Sequence, residues 1–152
     1  MCFYKVYRLG ITHEFVGWRE SKIGRHKIAG LDIPCYKVMY RIDEDKWISP
    51  HLGFVYEKGM TYTEDSLSLD TLDRYNCLED GVFHSYCWLP IACMYATCGA
   101  WHTTKRASVV KCVIPAGTPY WESDRHDEYA STSIRVVEEY TDNNIYNVPR
   151  YY

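Results

Sequence analysis

Residues 35–42 read CYKVMYRI, and this stretch is the clearest β-strand in the sequence. β-branched and aromatic residues dominate it, and Pro34 stands just before it, where a strand can begin. A second stretch, Ser108–Ile114, reads SVVKCVI and is strongly β-branched. Both stretches end at turn residues, so they predict two strands of one sheet.

Shorter patterns predict the rest of the sheet. We expect strands at Cys2–Leu9, Gly53–Glu57 and Gly81–Tyr86, and a last strand within Ser131–Tyr140. Short strands separated by turns favour antiparallel or mixed pairing. The acidic stretch Thr63–Asp80 holds no regular apolar stripe, and we expect it to be a long surface connection.

One helix is expected over Leu89–Cys98. Pro90 suits a first helical turn, apolar side chains recur at helical spacing from Ile91, and Gly99 can end the helix. The pattern as a whole indicates the α+β class, with a curved, mostly antiparallel sheet and one or two short helices packed on it.

The length of 152 residues suits a single α+β domain, which we assign to residues 1–140. Asn143, Asn144 and Pro149 predict a C-terminal arm over residues 141–152. Apolar residues make up 47% of the chain and charged residues 24%, which excludes a disordered, fibrous or low-complexity protein. The sequence has no apolar run of about 18 residues, so we expect no membrane span.

A net charge of −3 gives the protein no overall field that would attract a polyanion, so broad nucleic-acid binding is disfavoured. The basic cluster within Gly17–Gly30 is either a solvated loop or a loop that contacts phosphate. Residues 1–5 lack the apolar region of a signal peptide. We therefore expect the seven cysteines to be reduced thiols, mostly buried, in a cytoplasmic protein.

The motifs of several enzyme and metal-binding classes are missing from the sequence. There is no G-x-S-x-G elbow, P-loop or G-x-G-x-x-G, and the six histidines form no H-x3-H or H-E-x-x-H pair. Cys87, Cys93 and Cys98 lack the C-x2-C spacing of zinc sites. We assign no catalytic residue, metal or cofactor, and the sequence favours a binding protein over an enzyme.

Tyrosine is the unusual component, with 15 Tyr beside 5 Trp and 4 Phe. Aromatic side chains in a sheet either pair across strands or present a flat surface to a ligand. Within Gly81–Tyr86, strand alternation puts His84 between Val82 and Tyr86 on one face. His84 is then either a structural histidine or a hydrogen-bond donor on a half-buried wall.

A second segment with binding potential is Lys111–Tyr120, which reads KCVIPAGTPY. Backbone amides in its Pro-Gly turn can form an anion-binding nest. Tyr120, Trp121 and Tyr129 can stack on a flat base.

Several of these motifs together resemble a loose group of short, mostly uncharacterised phage and prophage proteins. The shared elements are YKV from Tyr36, S-P-x3-F-x-Y-E-x-G from Ser49, G-x-F-H-S from Gly81, KCVIPAGTPY from Lys111 and EYAS-x-x-I-x-V-x-E-E from Glu128. They span Cys35–Glu139. The resemblance implies a phage-type protein that acts in the cytoplasm of a bacterial host.

A more distant resemblance is to small ADP-ribosyltransferase-like folds, which also run from an early strand to a glycine-led strand with His and Ser and end near acidic residues. It implies that Arg41 or His84 grips a dinucleotide. Glu138 or Glu139 would then orient the ribose. The sequence departs from these folds because Ser131–Ser133 is expected on the same strand as Glu138, whereas the transferases hold the equivalent elements on separate strands.

Three hypotheses follow. In the first, a small phage-type protein binds a nucleotide-like ligand and sequesters a bacterial immune signalling molecule. The alternatives are an ADP-ribosyltransferase-like enzyme, and a protein-binding inhibitor of a host enzyme or virion accessory protein. Exposed aromatic surface would also suit a homo-oligomer. The candidate ligand contacts are Arg41, His51, Tyr56, His84, Tyr86, Tyr120 and Tyr129.

Overall fold

A computed structural model describes residues 25–50, 53–73, 82–97, 107–123 and 127–141. The strand expected at Cys2–Leu9 and most of the basic cluster lie outside these residues. Nearly all of the expected C-terminal arm lies outside them too, as does His51.

Ten strands and two helices lie within the described residues. In chain order they are β1 (Lys27–Ile28), β2 (Ile33–Asp43), β3 (Lys46–Ile48), β4 (Val55–Glu57), β5 (Thr61–Thr63), α1 (Leu69–Asp73), β6 (Phe83–Tyr86), α2 (Leu89–Thr97), β7 (Ala107–Ile114), β8 (Pro119–Glu122), β9 (Glu128–Ser131) and β10 (Ser133–Glu139). The expected strands around residues 35–42, 81–86 and 108–114 and the expected helix are confirmed as β2, β6, β7 and α2. In the described ranges, no helix is long and apolar enough to cross a membrane.

The strands form one sheet in the order β1-β8-β9-β6-β2-β7-β10-β5, with β3 joined to β2 and β4 joined to β3. Every pairing between described strands is antiparallel. The expectation of a mostly antiparallel sheet is confirmed, and the register shifts in the β2–β3 and β10–β7 pairings are of the kind that bends a sheet. The two helices have five and nine residues, so the fold is richer in sheet than a typical α+β domain.

Strand β2 changes its partner halfway along one edge. Its other edge pairs with β7 throughout, from Ile33 to Tyr40. On the changing edge, Tyr36 pairs with Tyr86 of β6, whereas Tyr40 pairs with Ile48 of β3. We call the gap between β6 and β3 along this edge the fork.

The two faces of the sheet pack against different parts of the chain. On the face that we call inner, Cys35 and Met39 of β2 join a core with buried residues of β3, β4, β7 and β10. On the outer face, Val38 packs with residues of α2. Farther along the outer face, Leu72 of α1 packs on Trp121 of β8. Because successive strand residues alternate between faces, β2 contributes to both cores.

Helix α1 corrects the expectation of an irregular surface connection over Thr63–Asp80. The side chain of Ser68 accepts a hydrogen bond from the amide of Thr71 at 3.2 Å, as an N-cap residue does. Leu72 is 1% exposed and packs on Trp121 together with Leu69, so leucines anchor the helix to the sheet. A five-residue helix shows too little periodicity to be recognised from sequence.

The expected last strand, within Ser131–Tyr140, is divided. Strand β9 ends at Ser131 and β10 begins at Ser133. Between them, the amide of Thr132 donates to the carbonyl of Pro119 at 3.1 Å. Strand β9 pairs with β6 and β8, whereas β10 pairs with β7 and β5. Ser131 and Glu138 therefore lie on different strands, contrary to the sequence-based expectation.

Gly117 offers a test of the turn between β7 and β8. Its φ of 83° lies in the left-handed region, and its amide donates to the carbonyl of Ala29 at 2.7 Å. We expect Gly117→Ala to lower the free energy of unfolding by about 1 kcal/mol, because the added Cβ disfavours this conformation. Urea unfolding measures the change. Gly30→Ala is the matched control, since open space also surrounds Gly30 and its φ is not in that region; equal losses in both variants would contradict the argument.

Candidate ligand-binding site

The fork places a positive charge on the inner face. Lys37 lies on β2 between Cys35 and Met39, which are both fully buried on that face. Its Nζ donates a hydrogen bond to the backbone carbonyl of His84 at 2.5 Å and lies 5.1 Å from the centroid of the Tyr56 ring. A carbonyl and an aromatic ring are both favourable partners for a half-buried ammonium group.

Four aromatic side chains, which we call the aromatic cluster, include the Tyr56 ring that Lys37 contacts. They are Phe54, Tyr56, Tyr62 and Phe83. The centroid of the Phe54 ring is 4.8 Å from that of Tyr56, 5.3 Å from that of Tyr62 and 6.3 Å from that of Phe83, all in edge-to-face geometry. Tyr56 is 4% exposed and Phe54 is 41% exposed. The cluster therefore has a buried base and an exposed edge that a flat ligand can contact.

Two further tyrosines pack against the same inner core. Tyr120 of β8 and Tyr129 of β9 are half-buried, and their ring centroids are 5.8 Å apart in edge-to-face geometry. The strand register aligns Ser131 of β9 with Phe83 on one side and Tyr120 on the other. Burial raises the pKa of the Tyr129 hydroxyl, so this group remains a hydrogen-bond donor at neutral pH.

The two strands that flank the fork each carry a buried polar group. Trp47 of β3 is 1% exposed and Ser85 of β6 is 4% exposed. Within the described ranges, neither Trp47 Nε1 nor Ser85 Oγ has a hydrogen-bond partner of standard geometry, although the Cys35 thiol lies beside Ser85. A buried polar atom without a partner lowers the free energy of unfolding by about 1–3 kcal/mol, so its presence calls for an explanation. Binding of a ligand to these atoms is one such explanation.

The seven residues chosen from sequence do not share one location. Tyr56, Tyr120 and Tyr129 lie on the inner face. Tyr86 lies on the outer face, where it stacks on Tyr95 of α2 with a centroid distance of 5.0 Å. The register of β6 and β9 places His84 opposite Ala130, which also belongs to the outer face. The contribution of His84 to the fork is its backbone carbonyl.

Arg41 pairs with Trp47 in the strand register, and its side chain interacts with acidic residues and backbone. Its guanidinium donates to the carbonyls of Asp43 and Glu44 and lies 3.4 Å from the Glu139 carboxylate. The neighbouring Glu138 pairs with Lys111 at 3.3 Å. Both glutamates that the transferase resemblance singles out thus form ion pairs at the β7–β10 side of the sheet.

The anion-binding nest expected in the turn after β7 is contradicted by the hydrogen bonds of its amides. Ala116 donates to the Asp32 carboxylate at 2.9 Å, and Gly117 and Thr118 donate to backbone carbonyls. These contacts satisfy the amides within the chain. The hydrogen bond from Ala116 and the contact with Arg135 hold the pKa of Asp32 below its usual value.

Burial makes three thiols poor nucleophiles. It raises the pKa of Cys35 to about 11 and that of Cys87 to about 12, and it raises the pKa of Cys112 as well. Each is therefore protonated at neutral pH. Among the residues that the structure describes, no group of three or more His, Cys, Asp or Glu side chains could hold a metal ion.

Sequence reasoning missed Lys37, Phe54 and Phe83 as site residues. The alternation of β2 carried a signal for Lys37, because it put this lysine on the same face as Cys35 and Met39.

Comparisons with protein-family models, curated proteins and solved structures find no match to this chain.

Proposed function

We propose that this protein binds a flat, anionic, nucleotide-like ligand at the fork. The observation that carries the proposal is the position of the Lys37 ammonium group, 5.1 Å from the centroid of the Tyr56 ring, which in turn lies 4.8 Å from the ring of the half-exposed Phe54. A positive charge beside aromatic rings suits a ligand with a phosphate and a base, because the charge attracts the phosphate while a ring stacks on the base.

The buried polar groups beside the fork support the same proposal. Trp47 Nε1 can only donate a hydrogen bond, whereas Ser85 Oγ can donate or accept. A ligand with exocyclic amino and carbonyl groups can satisfy both kinds of atom. Stacking of one base on an aromatic side chain contributes about 1–3 kcal/mol, which is enough to make Phe54 or Phe83 a measurable contact.

The wider role in this proposal is sequestration. The resemblance to phage and prophage proteins supports a protein that withholds a bacterial immune signalling molecule from its receptor in the host cytoplasm. The protonated thiols favour capture without covalent chemistry at Cys35, Cys87 or Cys112.

A mixture of nucleotides tests the proposal directly. The full chain is incubated with NAD, ADP-ribose and its cyclic forms, and cyclic di- and trinucleotides, then ultrafiltered, and both fractions are analysed by mass spectrometry. A ligand retained with the protein and released unchanged on denaturation supports sequestration. A ligand converted to a new mass indicates an enzyme instead, and a mixture that passes through entirely contradicts the proposal.

Lys37 provides the matched test of the site. We expect Lys37→Met to weaken binding of the retained nucleotide by at least about tenfold, or about 1.4 kcal/mol, because the ligand loses its charged partner. Lys111→Met is the control. Like Lys37, Lys111 lies near a tyrosine ring, with its Nζ 5.6 Å from the Tyr140 centroid, but it lies on the outer face and pairs with Glu138. Isothermal titration measures both. Thermal denaturation checks that both variants are folded. Equal affinities of the two folded variants for the nucleotide would exclude the fork as the anion site.

A further inference from the structure

Three cysteines lie side by side across the inner face. Cys35 of β2 is directly opposite Cys112 of β7 in the strand register. On the other edge of β2, Tyr36 pairs with Tyr86, so the antiparallel register brings residue 87 opposite residue 35. The row therefore runs Cys87, Cys35, Cys112, with Cys35 in the middle.

Cys87 is the most accessible thiol of the row. Cys87 is partly exposed, whereas Cys35 and Cys112 are 0% and 2% exposed. The Cys112 thiol donates a weak hydrogen bond to the carbonyl of Val110 at 3.7 Å. A charge on Cys35 would raise the pKa of either neighbour, which confirms that the middle thiol is near both others.

Strand geometry permits a disulfide within this row. Opposed residues of antiparallel strands have Cα atoms about 4.5–5.5 Å apart, and disulfides span Cα separations of about 4.4–6.8 Å. Neither neighbour of Cys35 needs a large backbone shift to reach it.

We propose that the row Cys87–Cys35–Cys112 is a redox relay, in which a disulfide forms first between Cys87 and Cys35 and then passes to Cys35 and Cys112. The inference does not depend on the proposed ligand site. Its oxidant is a peroxide, here hydrogen peroxide, which accepts two electrons.

The relay proceeds in three balanced steps. The Cys87 thiol loses a proton, and its thiolate attacks one peroxide oxygen. The S–O bond forms as the O–O bond breaks, and the departing hydroxide takes up the proton, so that one water and a Cys87 sulfenic acid result. The Cys35 thiol then attacks the Cys87 sulfur, which forms the S–S bond and releases a second water. Finally, the Cys112 thiolate attacks the Cys35 sulfur, and Cys87 leaves as a thiolate that takes up the proton that Cys112 lost. This exchange forms one disulfide as it breaks another, so it needs no further oxidant.

The central position of Cys35 favours this exchange, because an attacking thiolate must approach the disulfide sulfur opposite the leaving sulfur. In a row, Cys112 approaches Cys35 from the side away from Cys87. Burial raises the pKa of all three thiols, so we expect slow oxidation at neutral pH and a rate that rises about tenfold for each pH unit between pH 8 and 10.

The first product would link two strands that have little else in common. Tyr36 and Tyr86 form the register pair between β2 and β6 in the described residues, and the Lys37 hydrogen bond to the His84 carbonyl joins the same strands. The final product would link β2 to β7, whose pairing is already extensive.

The experiment treats the full chain with hydrogen peroxide at pH 9, quenches it with catalase, alkylates it under denaturing conditions and maps the peptides by mass spectrometry. We expect a Cys35–Cys112 linked peptide that is two hydrogens lighter than the thiols. The loop it closes is long, so we also expect the melting temperature to rise by about 10 °C. Dithiothreitol should reverse both changes.

Three variants separate the relay from other chemistry. In Cys112→Ala, the Cys87–Cys35 disulfide should accumulate, and in Cys87→Ser, formation of the Cys35–Cys112 disulfide should slow by at least tenfold. Cys93→Ser is the control, because Cys93 is buried with α2 on the outer face, and it should change neither rate. The proposal is overturned if Cys35 and Cys112 remain alkylatable while other cysteines oxidise, or if Cys87→Ser leaves the rate unchanged.

Discussion

Replacing Asp73 with alanine is expected to lower the free energy of unfolding by about 3 kcal/mol. Asp73 is the last residue of α1, and its carboxylate accepts three hydrogen bonds. The backbone amide of His26 and the indole of Trp121 donate to Oδ1 at 2.8 and 2.9 Å, and His26 Nδ1 lies 2.8 Å from Oδ2. Without Asp73, the indole of Trp121, a residue that is 1% exposed, loses its acceptor.

The measurement is urea unfolding at pH 7, with Asp70→Ala as the matched control. Asp70 lies on the same helix but is exposed, so its removal should cost no more than about 0.5 kcal/mol. Similar losses for both variants would show that the carboxylate of Asp73 does not join α1 to His26 and to β8.

The contribution of Asp73 should also depend on pH. Burial alone would raise the pKa of this carboxyl group, but the hydrogen bonds from His26 and Trp121 outweigh burial and lower it. A group with a lowered pKa in the folded state stabilises the fold fully above its unfolded pKa, near 3.9, and loses that contribution as the pH falls through the folded pKa. The difference in stability between wild type and Asp73→Asn should therefore narrow below about pH 4.

Tyr56→Ala is expected to cost about 4 kcal/mol, because it leaves a cavity at the base of the aromatic cluster. The ring of Tyr56 lies 4.8 Å from that of Phe54 and 5.2 Å from that of Tyr62, measured between centroids, and it faces the ammonium group of Lys37. Removing the ring therefore removes packing and a cation–π contact together.

Tyr56→Phe is the control for this prediction, since it keeps the ring and its packing. We expect it to lose clearly less stability than Tyr56→Ala in urea unfolding. If Tyr56→Ala cost less than about 1 kcal/mol, the residue could not be the buried base of the cluster. If the nucleotide mixture yields a ligand, its binding should survive in Tyr56→Phe and fail in Tyr56→Ala.

Local sequence patterns were sufficient to predict the central strands. Residues 35–42 and 108–114 carry enough β-branched and aromatic side chains to predict β2 and β7 without tertiary information. Helix α2 was equally predictable from the sequence, because Pro90 marks its first turn and its apolar spacing is regular.

The remaining features depend on contacts between distant parts of the chain. Helix α1 persists because Leu72 is buried and Asp73 binds Trp121, which is 48 positions away. The turn after β7 has the composition of an anion nest, but Asp32, 84 positions from Ala116, already occupies one of its amides. The fork requires two strands to share one edge of β2. The sequence of β2 alone does not predict which strands pair with it.

The long pairing of β2 with β7 has a consequence for folding kinetics. The two strands are roughly 70 positions apart in the chain, so a large loop must close before their hydrogen bonds can form. During synthesis, β2 leaves the ribosome well before Ile114, the residue that pairs with its first residue, Ile33. The edge of β2 that pairs with β7 therefore stays open while the intervening chain is made, and the central sheet can assemble only after β7 has emerged.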